Sequence, residues 1–377
     1  MKIGIMLRHL DQHGGGVLVY TEKLLEHLLA LDTEHQFVLF YRNAAHLGRY
    51  AGNPRAKERV LEARSVLGWD QGAVARAADE EKLDLVFNPK YSVPLHAHCR
   101  TVFVCHGLDW YVEPEWSRWW DRLNHRYLVP RYARRADHII AVSETTKCQL
   151  QEFLRVPSER ITTVYLAVDD AFRRPVSAEA AAAARARLRL PERYFLYCGQ
   201  IYPPKNFGQL VRAYSRVGPA LGIALAVAGS HTWLCRDELA LVEDLGLRPW
   251  IVQLGWVDHE SLPALYAEAE ALVLPSLYES FGLPILEAMA AGCPVVTSDR
   301  YGPRELAGDA AVLVDPERVD SIAAGMRRVA TDAGLRAELT VRGRERARPF
   351  TWARCARETL AVLESVVMER QPVRLAV

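Results

Sequence analysis

Short apolar runs alternate with amphipathic stretches along most of this 377-residue chain, and that alternation limits the possible fold more than any other feature. In the first half the apolar runs fit strands, and the stretch 17–31 fits a helix. The predicted strands are Lys2–Leu7, Phe37–Tyr41, Leu85–Asn88, Thr101–Cys105 and His138–Val142. Short apolar strands separated by helices predict an α/β fold of parallel sheets with helices on both faces.

The alternation breaks between Asp169 and Pro191, where an alanine-rich stretch lacks a bulky apolar face. It restarts with predicted strands at Tyr194–Cys198, Ile223–Ala228, Ile251–Leu254, Ala271–Leu274 and Pro294–Thr297. Because one core rarely organises a chain this long, we predict two Rossmann-like doubly wound domains. They are placed at 1–172 and 193–355, with a linker at 173–192 and a C-terminal helix at 356–377 that packs back on the first domain. Such sheets bind ligands beyond the carboxyl ends of their strands, here in a cleft between the domains.

Composition excludes several classes of function. The formal net charge of +1 gives no global field that favours nucleic acid. The seven cysteines are scattered without a CxxC pair, which indicates a reducing compartment. No apolar run reaches the ~18 residues of a membrane span, and the opening residues MKIGIML do not fit a signal peptide. The sequence predicts a cytoplasmic protein.

Two glutamates bracket a predicted helix start in YESFGLPILEAMAAG, residues 278–292. Pro284 suits the first turn of a helix, and Gly292 suits its end. The amides of Gly282 and Leu283 would then form an anion site at the helix N-terminus. Since a carboxylate does not bind phosphate, Glu279 and Glu287 would accept hydrogen bonds from sugar hydroxyls on either side of a diphosphate.

This segment resembles the E-x7-E motif of the retaining glycosyltransferases of family 4, which have the GT-B fold. The resemblance implies that Glu279 contacts the transferred sugar and that Glu287 holds the ribose hydroxyls of a nucleotide-diphospho-sugar. It also implies that the backbone of Phe281, Gly282 and Leu283 holds the diphosphate. The family is generally independent of metals, so no cofactor is expected.

A second motif, GQIYPPKN at 199–206, follows the first predicted strand of the second half. It resembles the family's phosphate-binding loop, which implies donor contacts from Gly199, Lys205 and Asn206, with Lys205 neutralising the phosphates. Relatives often carry arginine where this chain has Gln200. The resemblance further implies that the backbone at Val257 faces the nucleobase.

Two motifs of the first half also resemble the family. In HGGG, residues 13–16, Gly15 and Gly16 are implied to approach the donor phosphate. His106 follows a predicted strand and is implied to contact the sugar near the reacting centre, although Gly107 replaces the family's usual aspartate. Ser143 is predicted to cap the following helix.

The HAHC cluster at 96–99 has no second ligand cluster, and we predict no metal there. The segment Trp116–Arg135 carries basic residues every four positions beside an apolar stripe: Arg118, Arg122, Arg126 and Trp119, Leu123, Tyr127. Such a helix can lie on the inner, anionic face of a cell membrane or bind an acceptor pyrophosphate. A solvated helix with inward tryptophans is the other interpretation, and the sequence leaves the choice open.

We predict transfer of a hexose from GDP-mannose or a UDP-hexose to a glycan, lipid-linked or small-molecule acceptor, with retention of configuration. His106, Lys205 and Glu279 are the predicted catalytic residues. The alternatives are a nucleotide-sugar epimerase of the same fold, a silent sugar-nucleotide binding module, and an inverting transferase with His13 as base.

Overall fold

The computed structural model describes residues 1–11, 14–117, 119–230 and 236–368. The chain divides into two compact units, the first formed by 1–166 together with the C-terminal segment from Trp352, and the second by 167–351. Each unit is built on one parallel sheet with flanking helices. The α/β class and two doubly wound sheets predicted from the sequence are confirmed.

The first unit contains a seven-stranded parallel sheet of order β3-β2-β1-β4-β5-β6-β7. Its strands are β1 Lys2–Met6, β2 Gln36–Tyr41, β3 Ala56–Val60, β4 Leu85–Asn88, β5 Arg100–Cys105, β6 His138–Ala141 and β7 Ile161–Thr163. The strand order reverses between β1 and β4, whose following connections therefore leave in opposite directions. Their carboxyl ends form a topological switch point, the usual ligand site of such sheets.

Helices of the first unit connect these strands. They are α1 Gly16–Ala30, α2 Val66–Gly68, α3 Val74–Glu80, α4 Asp109–Val112, α5 Trp119–Tyr127, α6 Val129–Arg135 and α7 Glu144–Leu154. A π-helical turn at Trp69–Ala73 joins α2 to α3. Ser143 caps α7, as predicted, because its hydroxyl accepts a hydrogen bond of 3.0 Å from the Thr146 amide.

The second unit contains a six-stranded parallel sheet of order β10-β9-β8-β11-β12-β13. Its strands are β8 Tyr194–Cys198, β9 Ala224–Ala228, β10 Ile251–Gly255, β11 Ala271–Leu274, β12 Val295–Ser298 and β13 Val312–Val314. The order reverses between β8 and β11, and their carboxyl ends form this unit's switch point.

Helices of the second unit begin within the stretch predicted as a linker. They are α8 Ala178–Leu188, α9 Phe207–Ser215, α10 Gly218–Leu221, α11 Arg236–Asp244, α12 Leu262–Ala267, α13 Leu283–Ala291, α14 Tyr301–Ala307, α15 Val319–Thr331 and α16 Ala333–Ala347. The predicted linker 173–192 is thus not a free connection. Ser177 caps α8, and Arg185 pairs with Glu268 at 2.5 Å, so α8 belongs to the second unit.

The C-terminal helix, α17 Trp352–Met368, belongs to the first unit. The Trp352 ring lies 6.1 Å from the Tyr20 ring of α1, and the Glu364 carboxylate lies 2.7 Å from Nε2 of His35. The helix begins at Trp352, so residues 352–355 fall in the first unit instead of the predicted second domain.

The segment Trp116–Arg135 forms α5 and α6 instead of one continuous helix. Arg118 and the side chain of Trp119 lie outside the described residues. Leu123 and Tyr127 of the predicted stripe are both about half exposed. Within the described ranges, no helix combines the length and apolar character that a bilayer crossing needs.

Candidate active site

Two loops meet at the switch point of the second unit. The loop after β8 runs from Gly199 to Asn206, and the loop after β11 runs from Pro275 to Gly282. The Pro204 carbonyl accepts hydrogen bonds from the amides of Leu277 at 2.8 Å and Tyr278 at 3.3 Å. These bonds fix the two loops side by side.

Three glycines lie at the carboxyl ends of β8, β9 and β10, at the base of the first loop: Gly199, Gly229 and Gly255. The Gly199 amide donates to the Ala228 carbonyl at 2.8 Å, and the Gly229 amide donates to the Gly255 carbonyl at 2.7 Å. A Cβ atom at Gly229 would lie 1.9 Å from the carbonyl oxygen of Gly199, so only glycine permits this approach. The ends of β8, β9 and β10 therefore present backbone, which a phosphate or sugar can approach closely.

Asn206 fixes the loop that carries Lys205. Its backbone is left-handed, with φ 59°, and its side-chain amide donates to the carbonyls of Pro275 at 2.9 Å and Pro316 at 2.7 Å. The side chain is buried. The side-chain N–H hydrogens of Asn206 thus bind the two loops together, and the residue positions Lys205. Its contact with the donor stays a prediction.

The second loop ends at a helix N-terminus, as predicted. Gly282, with φ 102°, precedes α13, and Pro284 lies in the first turn. The Glu279 carbonyl accepts a 3.0 Å hydrogen bond from Gly302, the second residue of α14. A Cβ at Gly302 would come within 2.6 Å of the Ser280 backbone. The N-terminus of α14 thus supports the loop from behind.

Lys205 and Glu279 form an ion pair at the meeting point of the loops. Each side chain is only 12% exposed. The Ser276 hydroxyl lies 3.4 Å from the same carboxylate oxygen of Glu279. The structure therefore brings together two of the three predicted catalytic residues.

Glu287 lies one turn into α13, where the Tyr266 hydroxyl donates a 2.8 Å hydrogen bond to its carboxylate. Burial raises the pKa of Glu287 to about 7; the Tyr266 hydrogen bond opposes this shift, and the negative charge of Asp169 adds to it. A carboxyl group whose pKa lies near pH 7 is unusual outside functional sites.

The remaining residues predicted to contact the donor in this unit through their backbone are Phe281, Val257 and Leu283. Phe281 is buried, with its ring 6.0 Å from the Phe350 ring, so its side chain belongs to the core. Val257 is buried in the loop that follows β10. Leu283 is the first residue of α13.

His106 lies at the end of β5 in the first unit. Its Nε2 donates a 2.8 Å hydrogen bond to the Pro89 carbonyl, and its ring packs edge-on against Tyr20 at 4.7 Å. Burial lowers its pKa to about 4; the Pro89 bond opposes this shift, and the charge of Lys90 adds to it. Because a carbonyl only accepts, Nε2 carries the hydrogen and Nδ1 is the basic nitrogen of a neutral ring.

Gly15 and Gly16 form the start of α1 in the same unit. Gly15 is its N-cap with φ 103°, and Gly16 is its first residue. His13, the base of the inverting alternative, lies outside the described residues. In the HAHC segment, His98 Nδ1 lies 3.1 Å from Asp79. Across the described ranges, no three His, Cys, Asp or Glu side chains are grouped to hold a metal ion.

Sequence reasoning missed Gly229 and Tyr266. The signal for Gly229 is the small-residue run AVAGS at 226–230, which ends the apolar strand β9 and indicates a close backbone approach. Tyr266 lies in α12, twelve residues before the motif at 278–292, and its role depends on the packing of α12 against α13. No local pattern marks it.

Comparison with solved structures defines the class of protein. The chain superposes on Anabaena HepE in complex with UDP-glucose with a TM-score of 0.78, at 18% identity, covering 97% of this chain and 100% of that one. It superposes on the sucrose-phosphate synthase of Thermosynechococcus elongatus with a TM-score of 0.78, at 22% identity, covering 97% and 98%. The fold is GT-B.

Sequence comparison then gives the family. Residues 14–172 match glycosyltransferase family 4, and residues 181–346 match glycosyl transferases group 1. The chain is 31% identical to the O-antigen chain mannosyltransferase B of Escherichia coli, over 84% of this chain and 83% of that protein. It is 29% identical to the MMP alpha-(1->4)-mannosyltransferase of Mycolicibacterium hassiacum, over 84% and 77%. The chain belongs to glycosyltransferase family 4.

Proposed function

We propose that this protein transfers mannose from GDP-mannose to a glycan, lipid-linked or small-molecule acceptor in polysaccharide biosynthesis, with retention of configuration. The single observation that carries the proposal is the arrangement of Lys205, Glu279 and the N-terminus of α13 at one switch point. The similarity to mannosyltransferases supports mannose as the sugar.

The donor diphosphate would lie over the glycine backbone and against Lys205. Its negative charge grows as the bond to the sugar breaks, and a preorganised cation stabilises that charge. The amides of Gly282 and Leu283 at the start of α13 would add hydrogen bonds and the favourable end of the helix dipole.

In this proposal Glu279 accepts hydrogen bonds from the sugar and stabilises positive charge on its ring. Donor binding would exchange partners, since Lys205 would leave Glu279 for the phosphate. The departing phosphate would take the acceptor proton, so no separate enzymic base is required. Glu287 would accept hydrogen bonds from the ribose.

The test is incubation with GDP-mannose and, in parallel, UDP-glucose and an acceptor mixture, followed by mass spectrometry and NMR of the product. An α-mannoside is expected. A β product refutes retention, and sugar left on the nucleotide indicates the epimerase. Exclusive use of UDP-glucose overturns the choice of donor. Lys205→Ala should lower the rate about 100- to 1000-fold.

A further inference from the structure

The switch point of the first unit also carries cations. Arg8 follows β1, and Lys90 follows β4, the two strands between which the order of the sheet reverses. His106 follows β5, the next strand of the sheet. Such positions are the usual ligand sites of doubly wound sheets, and none of the roles proposed above uses Arg8 or Lys90.

Arg8 is held rigidly on one side only. Its Nε donates to Asp70 at 2.7 Å and its Nη2 at 3.2 Å to the other carboxylate oxygen. The Ser92 hydroxyl donates to Asp70 at 2.8 Å, and Asn88 donates to Ser92 at 2.7 Å. Among the described residues, no group accepts a hydrogen bond from the remaining Nη1 of Arg8.

The positive charge of Lys90 is less well compensated than that of Arg8. Its ammonium lies 5.3 Å from the centre of the Tyr91 ring, and no described residue accepts a hydrogen bond from it. Burial lowers its pKa to about 8, the charge of Arg8 lowers it further, and only Asp109 opposes the shift. A half-buried ammonium without a partner is costly, and an anion would remove that cost.

The neighbouring histidines do not change the charge around Lys90. His9 is buried and has its pKa lowered by burial and by the charges of Arg8, Lys90 and His106. Burial also lowers the pKa of His125 to about 4, with Asp121 opposing the shift and Lys90 adding to it. Around Lys90 the imidazoles are therefore neutral near pH 7 and add no charge. The cations of the site are Arg8, which is paired with Asp70, and Lys90, near which Asp109 is the one opposing charge.

We infer that Lys90 and Arg8 bind an anionic group of the acceptor, of the phosphate class, beside His106. This inference rests on the proposed function, in which the second unit already supplies the groups that neutralise the donor diphosphate. Pro89 connects the two sites, because its carbonyl holds the His106 ring while the next residue is Lys90. An acceptor phosphate bound there would lie beside His106, which the family resemblance implies to contact the transferred sugar.

The experiment is NMR of the full chain labelled with ¹³C,¹⁵N-lysine, with the Lys90 signal assigned by its loss in Lys90→Arg. Mannose 1-phosphate and farnesyl diphosphate in neutral detergent micelles are the two probes, and mannose is the uncharged control. A bound phosphate should raise the pKa of Lys90 by about one unit or more. A response to the micellar probe alone assigns the anion to a lipid-linked acceptor, and a response to the sugar phosphate assigns it to a soluble one.

Affinities measured on matched variants provide a second test. Lys90→Met should weaken binding of the responding probe about 10- to 150-fold, the effect of losing a charged hydrogen bond, whereas Lys90→Arg should retain most of it. Lys82→Met, at an exposed lysine of the same unit, should change nothing. GDP affinity should be equal in all four proteins.

The inference is overturned if neither probe shifts the Lys90 pKa, or if Lys82 responds equally. It is also overturned if GDP alone shifts Lys90 and binds more weakly to Lys90→Met, because the anion would then be the donor's. Failure of the proposed function is a separate result, since loss of GDP binding and transfer leaves the Lys90 titration measurable.

Discussion

Replacing Glu287 by glutamine is expected to stabilise the protein at alkaline pH while weakening its affinity for nucleotide. Burial raises the pKa of this carboxyl from 4.5 to about 7. Below pH 4.5 the folded and unfolded chains both hold the proton. As the pH rises from there to 7, the unfolded chain loses it first, so stability falls and the full cost is present above pH 7.

The size of the stability change follows from the shift in the pKa of Glu287. A change from 4.5 to about 7, at about 1.4 kcal/mol per unit, comes to about 3 kcal/mol. Glutamine cannot ionise, and its carbonyl oxygen can still accept the hydrogen bond from Tyr266. The variant should therefore equal the wild type near pH 4.5 and melt about 6–12 °C higher near pH 8.5, at roughly 2–4 °C per kcal/mol.

Thermal unfolding of both proteins across this pH range is the assay, with Glu260→Gln, at an exposed position, as the matched control. A difference in melting temperature that is the same at acid and alkaline pH would refute the titration argument. The same series with GDP tests the site: nucleotide should stabilise the wild type more than Glu287→Gln, because the ribose hydroxyls need a charged acceptor.

Glu279→Gln should free Lys205 and tighten binding of GDP about 3- to 10-fold, the value of one hydrogen-bonded contact, while the transfer rate falls; calorimetry and initial rates measure the two effects. Gly229→Ala should cost roughly 1–3 kcal/mol of stability, because the new Cβ would lie 1.9 Å from a carbonyl oxygen, and nucleotide binding should be lost with it; urea unfolding measures the first effect. If α5 lies on a membrane, Arg122→Glu with Arg126→Glu should abolish co-sedimentation with anionic vesicles, since each cation contributes about 1 kcal/mol.

Each of these variants has a control. Gly246→Ala shares a positive φ but meets no atom within 4 Å, so it should cost less than Gly229→Ala. Unchanged GDP affinity in Glu279→Gln would mean that the ion pair does not compete with the phosphate. Equal partitioning of wild type and the double variant onto anionic and neutral vesicles would leave α5 as a solvated helix.

The central strands could be predicted from the sequence, but three edge strands could not. β3 has the sequence AKERV and is not fully buried at any position, because only one neighbour, β2, pairs with it. β7 and β13 are three residues long and also lie at sheet edges. β3 and β7 lack the continuous apolar run that signals a strand buried on both faces. β13 is apolar throughout, but its three residues are too few to mark a strand.

The candidate active site likewise contains residues that the sequence predicts and residues that it does not. Lys205 and Glu279 could be found because each lies in a local motif of loop and helix start. The function of Asn206 could not, because it depends on carbonyls at 275 and 316, far away in the sequence. Likewise, the raised pKa of Glu287 depends on its burial beside Tyr266, which the packing of α12 against α13 creates.

The two switch points differ in how their cations are compensated without ligand. Lys205 is paired with Glu279. In the proposed function a donor phosphate would have to displace this carboxylate, which would then become available for the sugar. Binding of the phosphate and orientation of the sugar would therefore be coupled through one ion pair. Lys90 has no such pairing: no carboxylate among the described residues is hydrogen-bonded to it, so an anion bound at the proposed site would not have to displace one. On this argument the proposed donor site would select a diphosphate joined to a sugar, whereas the proposed site at Lys90 would select for charge alone.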